Sequence, residues 1–295
     1  VKQYTELELV WDGRAMLGEG PVWDHRSHEV IWVDIDGMRV HRYRPAAGAV
    51  DTLQLNQKIG AVVPRASGGF VAAMEHGFHI LGGASGEAAA IADPEAHLPG
   101  NRFNDGKCDT AGRFWAGTMK MNETGASGSL YCLEPDGTLR TVLNGSVKIS
   151  NGIGWSPDNR TMYYIDTPTK QVVAYSYDAA TGVIAEPRTV VTMAPGEGSP
   201  DGMAVDAAGN LWVALWGGWQ VGCWNPTTGE KLATIPVPVE RTSSCAFGGE
   251  QLDELYITTA SVGMREEDWA KQPHAGGLFR IKLPVQGLRA NFYGG

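Results

Sequence analysis

Four oxygen-bearing side chains occupy one recurring position in the chain. Asp201 lies five residues before Asp206, which opens DAAGN, and Asn151 lies five before Ser156, which opens SPDNR. Asn104 stands at the same offset before Asp109 in DTAGR, and Glu19 before Asp24 in DHRSH. Two carboxylates and two amide oxygens are hard donors suited to a hard divalent cation such as Ca²⁺, Mg²⁺ or Mn²⁺. Two negative charges match a +2 ion, and four protein ligands leave coordination positions for water and a substrate, as in catalytic sites. Taken singly, Asn or Asp before Gly is an ordinary turn residue; the constant offset in four segments is the stronger signal. Arg102 stands two residues before Asn104 and offers a fork for hydroxyls or a carboxylate, or else a surface ion pair. Asn122 and Glu123 follow GTM and enter a Gly/Ser-rich loop, placing one or both at the same mouth. Trp216, in ALWGGW, either stacks on a sugar face or packs as a rim residue. His76 and His79 lie on the matching segment of another unit and read as structural rather than substrate-binding.

What must position these residues is a repeated unit. Segments starting at Gly20, Gly60, Gly106, Asn151, Asp201 and near Ser244 share one layout, with those at Gly60 and Ser244 the poorer copies. A short apolar strand leads to a turn such as DAAGN or SPDNR. An aromatic and β-branched strand follows (LWVAL, TMYYID, VIWVDI), then an alternating strand (KQVVAYSYD, MRVHRYRP) and a more polar fourth. Hairpin signals spaced about 8–12 residues apart, in repeats of roughly 35–50 residues without sustained helical period, predict propeller blades. The fold expected is therefore all-β: a six-bladed β-propeller of four-stranded antiparallel blades, with residues 1–295 forming a single domain. A strand at about Thr5 to Val10 is expected to complete the last unit, pairing the N- and C-terminal strands and removing an exposed edge. Each recurring oxygen donor then begins an innermost strand, so the four converge on the central channel.

The formal net charge of −9 argues against nucleic acid or an anionic membrane as partner. Cys108, Cys132, Cys223 and Cys245 are scattered without CxxC spacing and read as reduced, buried thiols of an intracellular, cytoplasmic protein. No apolar run reaches the roughly 18 residues of a membrane span, and Val1 to Val10 lacks the layout of a signal peptide. There is no GxSxG elbow, HExxH or Walker loop.

LGEGPVW, NRFNDGKCD, ISNGIGWSPD and PDGMAVD resemble the senescence marker protein/gluconolactonase/luciferin-regenerating-enzyme family, in order and over nearly the whole chain. The resemblance implies a six-bladed propeller and a metal-dependent hydrolase that opens a sugar lactone to its aldonic acid. The family's metal ligands carry over onto Glu19, Asn151 and Asp201, with Asn104 as a close or water-linked partner, and its substrate-binding Arg onto Arg102. Where many relatives have an acidic pair after GTM, this chain has Lys120-Met121-Asn122-Glu123, so Asn122 replaces one acidic contact and the resemblance leaves the exact substrate open. The ALWGGW stretch is closer to bacterial sugar lactonases than to animal members, which favours an aldonolactone derived from a pentose or hexose. Members bind calcium, zinc or manganese; donor hardness favours one Ca²⁺ here, with Zn²⁺ or Mn²⁺ as alternatives. The expected chemistry is Lewis-acid polarisation of the lactone carbonyl, with Asp201 as general base. A carboxylate bound to a +2 ion is a weaker base, so the alternative role for Asp201 is to orient the attacking water. Arg102, Asn104, Asn122, Glu123 and Trp216 are the expected sugar contacts. A phosphotriesterase-like calcium propeller hydrolase and a non-catalytic metal-binding propeller are the two other readings. The expected partner is a small-molecule sugar lactone, and the expected state a monomer or weak homo-oligomer, in carbohydrate metabolism.

Overall fold

The repeated units fold as six antiparallel sheets whose innermost strands stand around one channel. The structure, a computed structural model, describes residues 1–82 and 86–295. The innermost strands are Gly18–Asp24, Ile59–Pro64, Asn101–Cys108, Ser150–Trp155, Ser199–Val205 and Thr242–Gly248, and they define blades 1 to 6. In blades 1 to 4 the strands pair in chain order from the channel outwards; blade 1, for instance, continues through Glu29–Asp34, Arg39–Arg44 and Ala49–Gln54. The ring closes where the inner strand of blade 6 packs on that of blade 1, with Ser243 Oγ donating to the Gly18 carbonyl at 2.5 Å.

The predicted closure is present with a shifted register. Glu8–Trp11 pairs antiparallel with Leu278–Lys282 and forms the outer strand of blade 6. Ahead of it, Lys2–Gln3 pairs in parallel with Lys231–Pro236 and gives blade 5 a fifth strand. The start of the chain thus straps two blades together. Two residues carry no periodicity to read, which is why this strand was not expected. The helix Glu266–Trp269 and a 3₁₀ turn at Thr167–Thr169 interrupt loops only.

The hydrophobic core lies between blades. Six clusters of buried side chains each span one seam: for example Phe78 and Val71 of blade 2 meet Phe103, Phe114 and Tyr131 of blade 3, and Trp23, Trp32 and Tyr43 of blade 1 meet Tyr256 of blade 6. Each fully buried aromatic contributes on the order of 1.5–3 kcal/mol. The first-turn acids serve these seams. Asp206 Oδ1 accepts the Ala208 and Asn210 amides, while its Oδ2 accepts Trp212 Nε1 at 3.0 Å. Asp109 repeats the arrangement with Trp115 Nε1 at 2.9 Å and adds Tyr177 Oη of the next blade at 2.6 Å. The expected turns are therefore also anchors for the tryptophans of the second strands. All four cysteines are free and buried. Among the described residues, no helix is long and apolar enough to cross a membrane.

Every inner strand slips register once near the channel mouth. The slips fall between Glu19 and Val22, Ile59 and Ala61, Phe103 and Gly106, Ser150 and Ile153, Pro200 and Met203, and Thr242 and Ser244. An extra residue of this kind bends a strand and re-aims its side chains. At the other end of the channel the tail crosses the lower face. Leu288–Asn291 helps line a cavity of about 260 Å³, and Tyr293 and Gly294 hydrogen-bond to the backbone of Pro64 and Gly112.

Candidate metal centre

The slips decide what the channel mouth contains. Asn104, Asn151 and Asp201 sit inside the bulges of blades 3, 4 and 5, and Glu19 borders that of blade 1. All four are buried. The dipeptides Asn151-Gly152 and Asp201-Gly202 are not turns, as either would be in isolation; they lie within strands. Their glycines meet the neighbouring blade: a Cβ on Gly152 would stand 2.8 Å from the Asp201 carbonyl oxygen, and one on Gly202 would stand 2.7 Å from Ser244 Cα. Small residues after each donor thus let adjacent inner strands close around the mouth. The segments leading into blades 1 and 4 are held by matching acids. Asp34 accepts the Met16 and Leu17 amides, and Asp166 accepts those of Lys148 and Ile149.

A chain of hydrogen bonds joins the donors. Arg102 donates to Asn104 Oδ1 at 2.7 Å and to the Phe103 carbonyl at 2.9 Å. Asn104 Nδ2 donates to Asn151 Oδ1 at 3.0 Å and to the Ser150 carbonyl at 2.7 Å. Asn151 Nδ2 donates to Thr167 Oγ1 at 2.8 Å, and Thr167 donates to the Pro200 carbonyl, next to Asp201, at 2.8 Å. Both amides are thereby oriented, with the oxygen of Asn104 facing Arg102 and that of Asn151 facing Asn104.

Glu19 and Asp201 complete the ring, close enough that each carboxyl bears on the ionisation of the other. Burial pushes the Glu19 carboxyl well above its usual range, and the Asp105 carboxylate adds to the shift. Burial raises Asp201 as well, followed by the charges of Glu19 and Asp105. Asp201 Oδ1 is buried and meets no donor. Two desolvated carboxylates facing each other, one with an orphaned oxygen, make a site that a cation would satisfy. The donor set of carboxylate and amide oxygens fits a hard divalent ion. Among the described residues no cluster of three His, Cys, Asp or Glu side chains forms a metal-binding group, so an ion here depends on the amide oxygens too.

The remaining expected contacts divide. Arg102 is buried beside the ring; desolvation lowers its pKa, opposed by Asp36, Glu19, Glu123 and Glu75. Glu123 is exposed, with a left-handed φ of 57°, and its charge reaches Arg102. Asn122 is exposed, and its Oδ1 accepts from the amide and hydroxyl of Thr124. Trp216 stands apart, with the Arg241 guanidinium 5.8 Å from its ring. It lines a groove of about 640 Å³ with Lys170, Ser199 and Glu240, and none of the ring residues shares that lining. His79 is buried and bonded to the Gly77 carbonyl, and His76 is exposed in a turn.

Two members of the site were not foreseen. Asp105 follows Asn104 at the position where Glu19, Asn151 and Asp201 are each followed by glycine. Its carboxylate is buried below the ring, where desolvation raises its pKa and the nearby Lys107 opposes the shift. The triplet Asn-Asp-Gly, compared with Asn-Gly in blade 4, was the available signal. Thr167 had none, since its role comes from contact between two blades.

The family model for the SMP-30/gluconolactonase/LRE-like region matches residues 17–261, which include every donor of the ring. This chain belongs to that family. Regucalcin of Xenopus laevis is 39% identical over 98% of this chain and 99% of its own. The Bacillus subtilis protein YvrE, provisionally named a sugar lactone lactonase, is 38% identical over 94% of this chain and 95% of its own. Among solved structures, the calcium-binding regucalcin of Agrobacterium tumefaciens superposes with a TM-score of 0.94 at 27% identity, covering 99% of both chains. Family membership and the six-bladed architecture agree with the resemblance drawn from LGEGPVW, NRFNDGKCD, ISNGIGWSPD and PDGMAVD.

Proposed function

We propose that this protein hydrolyses sugar lactones to aldonic acids, using one divalent ion held by Glu19, Asn151 and Asp201, with Asn104 organising the set. The observation that carries this reading is the apposition of Glu19 and Asp201, both desolvated, with Asp201 Oδ1 left without a donor. The provisional lactonase name of YvrE and the calcium-binding relative support the substrate class and the preference for Ca²⁺.

When bound, the ion supplies Lewis acidity at the lactone carbonyl oxygen. The chain's own groups do the rest. Asp201, buried at the mouth, accepts a hydrogen bond from the attacking water and orients it, or removes its proton. The water oxygen bonds to the carbonyl carbon, the ring C–O bond breaks, and the ring oxygen leaves with a proton as the new hydroxyl. The acid formed ionises near neutral pH, so one proton is released per turnover. Arg102, fixed by Asn104 and the Phe103 carbonyl, presents its remaining N–H groups to sugar hydroxyls or to the developing carboxylate. Asn122 and Glu123, both exposed after the second strand of blade 3, are the proposed contacts for the outer hydroxyls.

The test is acid release, followed with a pH indicator, from a panel of pentose and hexose aldonolactones. The protein is first stripped with chelator, then restored with Ca²⁺, Zn²⁺ or Mn²⁺ singly. Metal-restored acid release from at least one lactone is the expected result. Cleavage of a phosphotriester without lactone turnover, or metal uptake without turnover of any lactone, would overturn it.

A further inference from the structure

Below the ring, one residue breaks the pattern of the channel wall. Three residues on from each ring position stand Val22, Val63, Lys107, Gly154, Ala204 and Phe247, and all six line the 260 Å³ cavity. Five are apolar or lack a side chain, so Lys107 is the one charged group in this layer. Its amine donates to the Met203 carbonyl at 2.6 Å. Lys107 belongs to the inner strand of blade 3 and Met203 to that of blade 5, so the bond passes across the channel face of blade 4. At that level blade 4 offers only Gly154 and blade 5 only Ala204, which leaves the side chain room to cross.

Both ends of this bond lie close in sequence to proposed ligands. Lys107 is three residues after Asn104, one past the end of a bulge; Met203 is two residues after Asp201, at the end of another. Strand bulges are the least paired part of each inner strand, so their relative placement depends on contacts outside the ladders. On the mouth side, that placement is held by the chain from Asn104 through Asn151 and Thr167 to Pro200. The Lys107–Met203 bond is its counterpart on the channel side. Burial opposes charging of the amine and the Asp105 carboxylate beside it favours it, so the side chain also bears on the third carboxylate under the ring.

We propose that Lys107 is a positioning residue of the metal centre: a cross-channel tether that sets the bulge carrying Asp201 relative to the bulge carrying Asn104. The inference rests on the metal-holding ring of the reading above. A tether that fixes ligand geometry from outside the coordination shell is worth about 10–100-fold in metal affinity.

The experiment is calorimetric titration of chelator-stripped protein with Ca²⁺, alongside thermal unfolding of the metal-free forms and kcat and KM on a lactone that is turned over. Lys107→Met fills the same space without a donor; Lys107→Ala leaves the cavity wider and forces nothing into it. Both should bind Ca²⁺ at least about tenfold more weakly, with the loss in turnover appearing in kcat at metal concentrations that saturate each variant. Lys107→Arg, which keeps a donor long enough to cross, should recover most of the affinity. Val63→Ala removes apolar volume from the same layer and should lower the unfolding temperature while leaving affinity within about twofold of the parent. Near-parental affinity in both Lys107→Met and Lys107→Ala would overturn the tether while leaving the metal reading intact. So would an equal loss in Val63→Ala, which would assign the effect to general loosening. Failure of the parent protein to bind any divalent ion would instead remove the metal reading, and the tether with it.

Discussion

Blades 1, 3, 4 and 5 differ from blades 2 and 6 in what stands at one position, while the backbone feature beneath it is common to all six. Each inner strand slips register near the mouth, but only four blades carry a carboxylate or amide there. Blade 2 has Gly60, where a Cβ would come within 2.5 Å of the Phe103 carbonyl group. Backbone of the strand carrying Asn104 fills the space a side chain would need. Blade 6 has Ser243 and Ser244; the Ser243 hydroxyl donates to Gly18 and ties the last blade to the first. Two positions thus hold the ring together and four furnish it. The propeller supplies six equivalent openings on the channel, and close packing at two of them leaves an asymmetric set: three consecutive donor blades, 3 to 5, face blade 1 across the channel.

That contrast can be broken most severely at blade 5. Asp201→Ala removes the orphaned acceptor and one of two carboxylates, and should reduce metal-dependent acid release by about a thousandfold. The pH-indicator assay on the restored protein checks this. Asn104→Ala removes the hub between Arg102 and Asn151 and should weaken metal binding by about 10–100-fold, read by calorimetry.

Protons compete with the ion at the same carboxylates. Burial and the Asp105 charge push Glu19 from 4.5 to about 8. Folding therefore favours the protonated form of Glu19, whose contribution to metal-free stability is complete below the unfolded value. It is lost as pH rises through about 8. Metal binding has the opposite slope: apparent affinity should rise with pH, by up to about tenfold per unit for each proton displaced, and level off above about pH 8. Unfolding temperatures of stripped and loaded protein from pH 5 to 9 should diverge with rising pH. Parallel curves would contradict the account.

The non-donor blades give the smaller effects. Gly60→Ala forces the Phe103–Asn104 backbone to move and should destabilise the fold by about 1–3 kcal/mol, with metal affinity falling because that backbone carries a member of the ring. Ser243→Ala loses its hydrogen bonds to Gly18 and Thr258 and should cost about 1 kcal/mol in denaturant unfolding, with metal affinity unchanged.

The same contrast shows how far the sequence can be read. The fixed offset to the first-turn residue, shared by Glu19, Asn104, Asn151 and Asp201, aligned the four donor blades because donor and turn belong to one strand. Blades 2 and 6 were recognisable only as poorer copies, since Gly60 and Ser243 answer to neighbouring blades rather than to their own strand. Taken singly, Asn151-Gly152 and Asp201-Gly202 would be turns; the shared offset placed them on inner strands, where they are bulges whose glycines admit the next blade. Asp105 was legible in principle as an acid standing where other donors are followed by glycine. Thr167, the Lys107–Met203 bond and the strand Lys2–Gln3 depend on which blades become neighbours, and nothing local encodes that. Trp216 kept its predicted place at the end of its strand, yet lines a groove beside the ring.

The claim that the four donor blades form one ion site is tested most directly by titrating chelator-stripped protein with Ca²⁺ at pH 8, comparing the parent with Glu19→Gln and Asp201→Asn. Both variants keep the shape of the side chain and remove its charge. One ion per chain is expected in the parent and a loss of binding in each variant, with the propeller still folded by far-ultraviolet circular dichroism. Absence of binding in the parent, or unchanged binding in both variants, would contradict it.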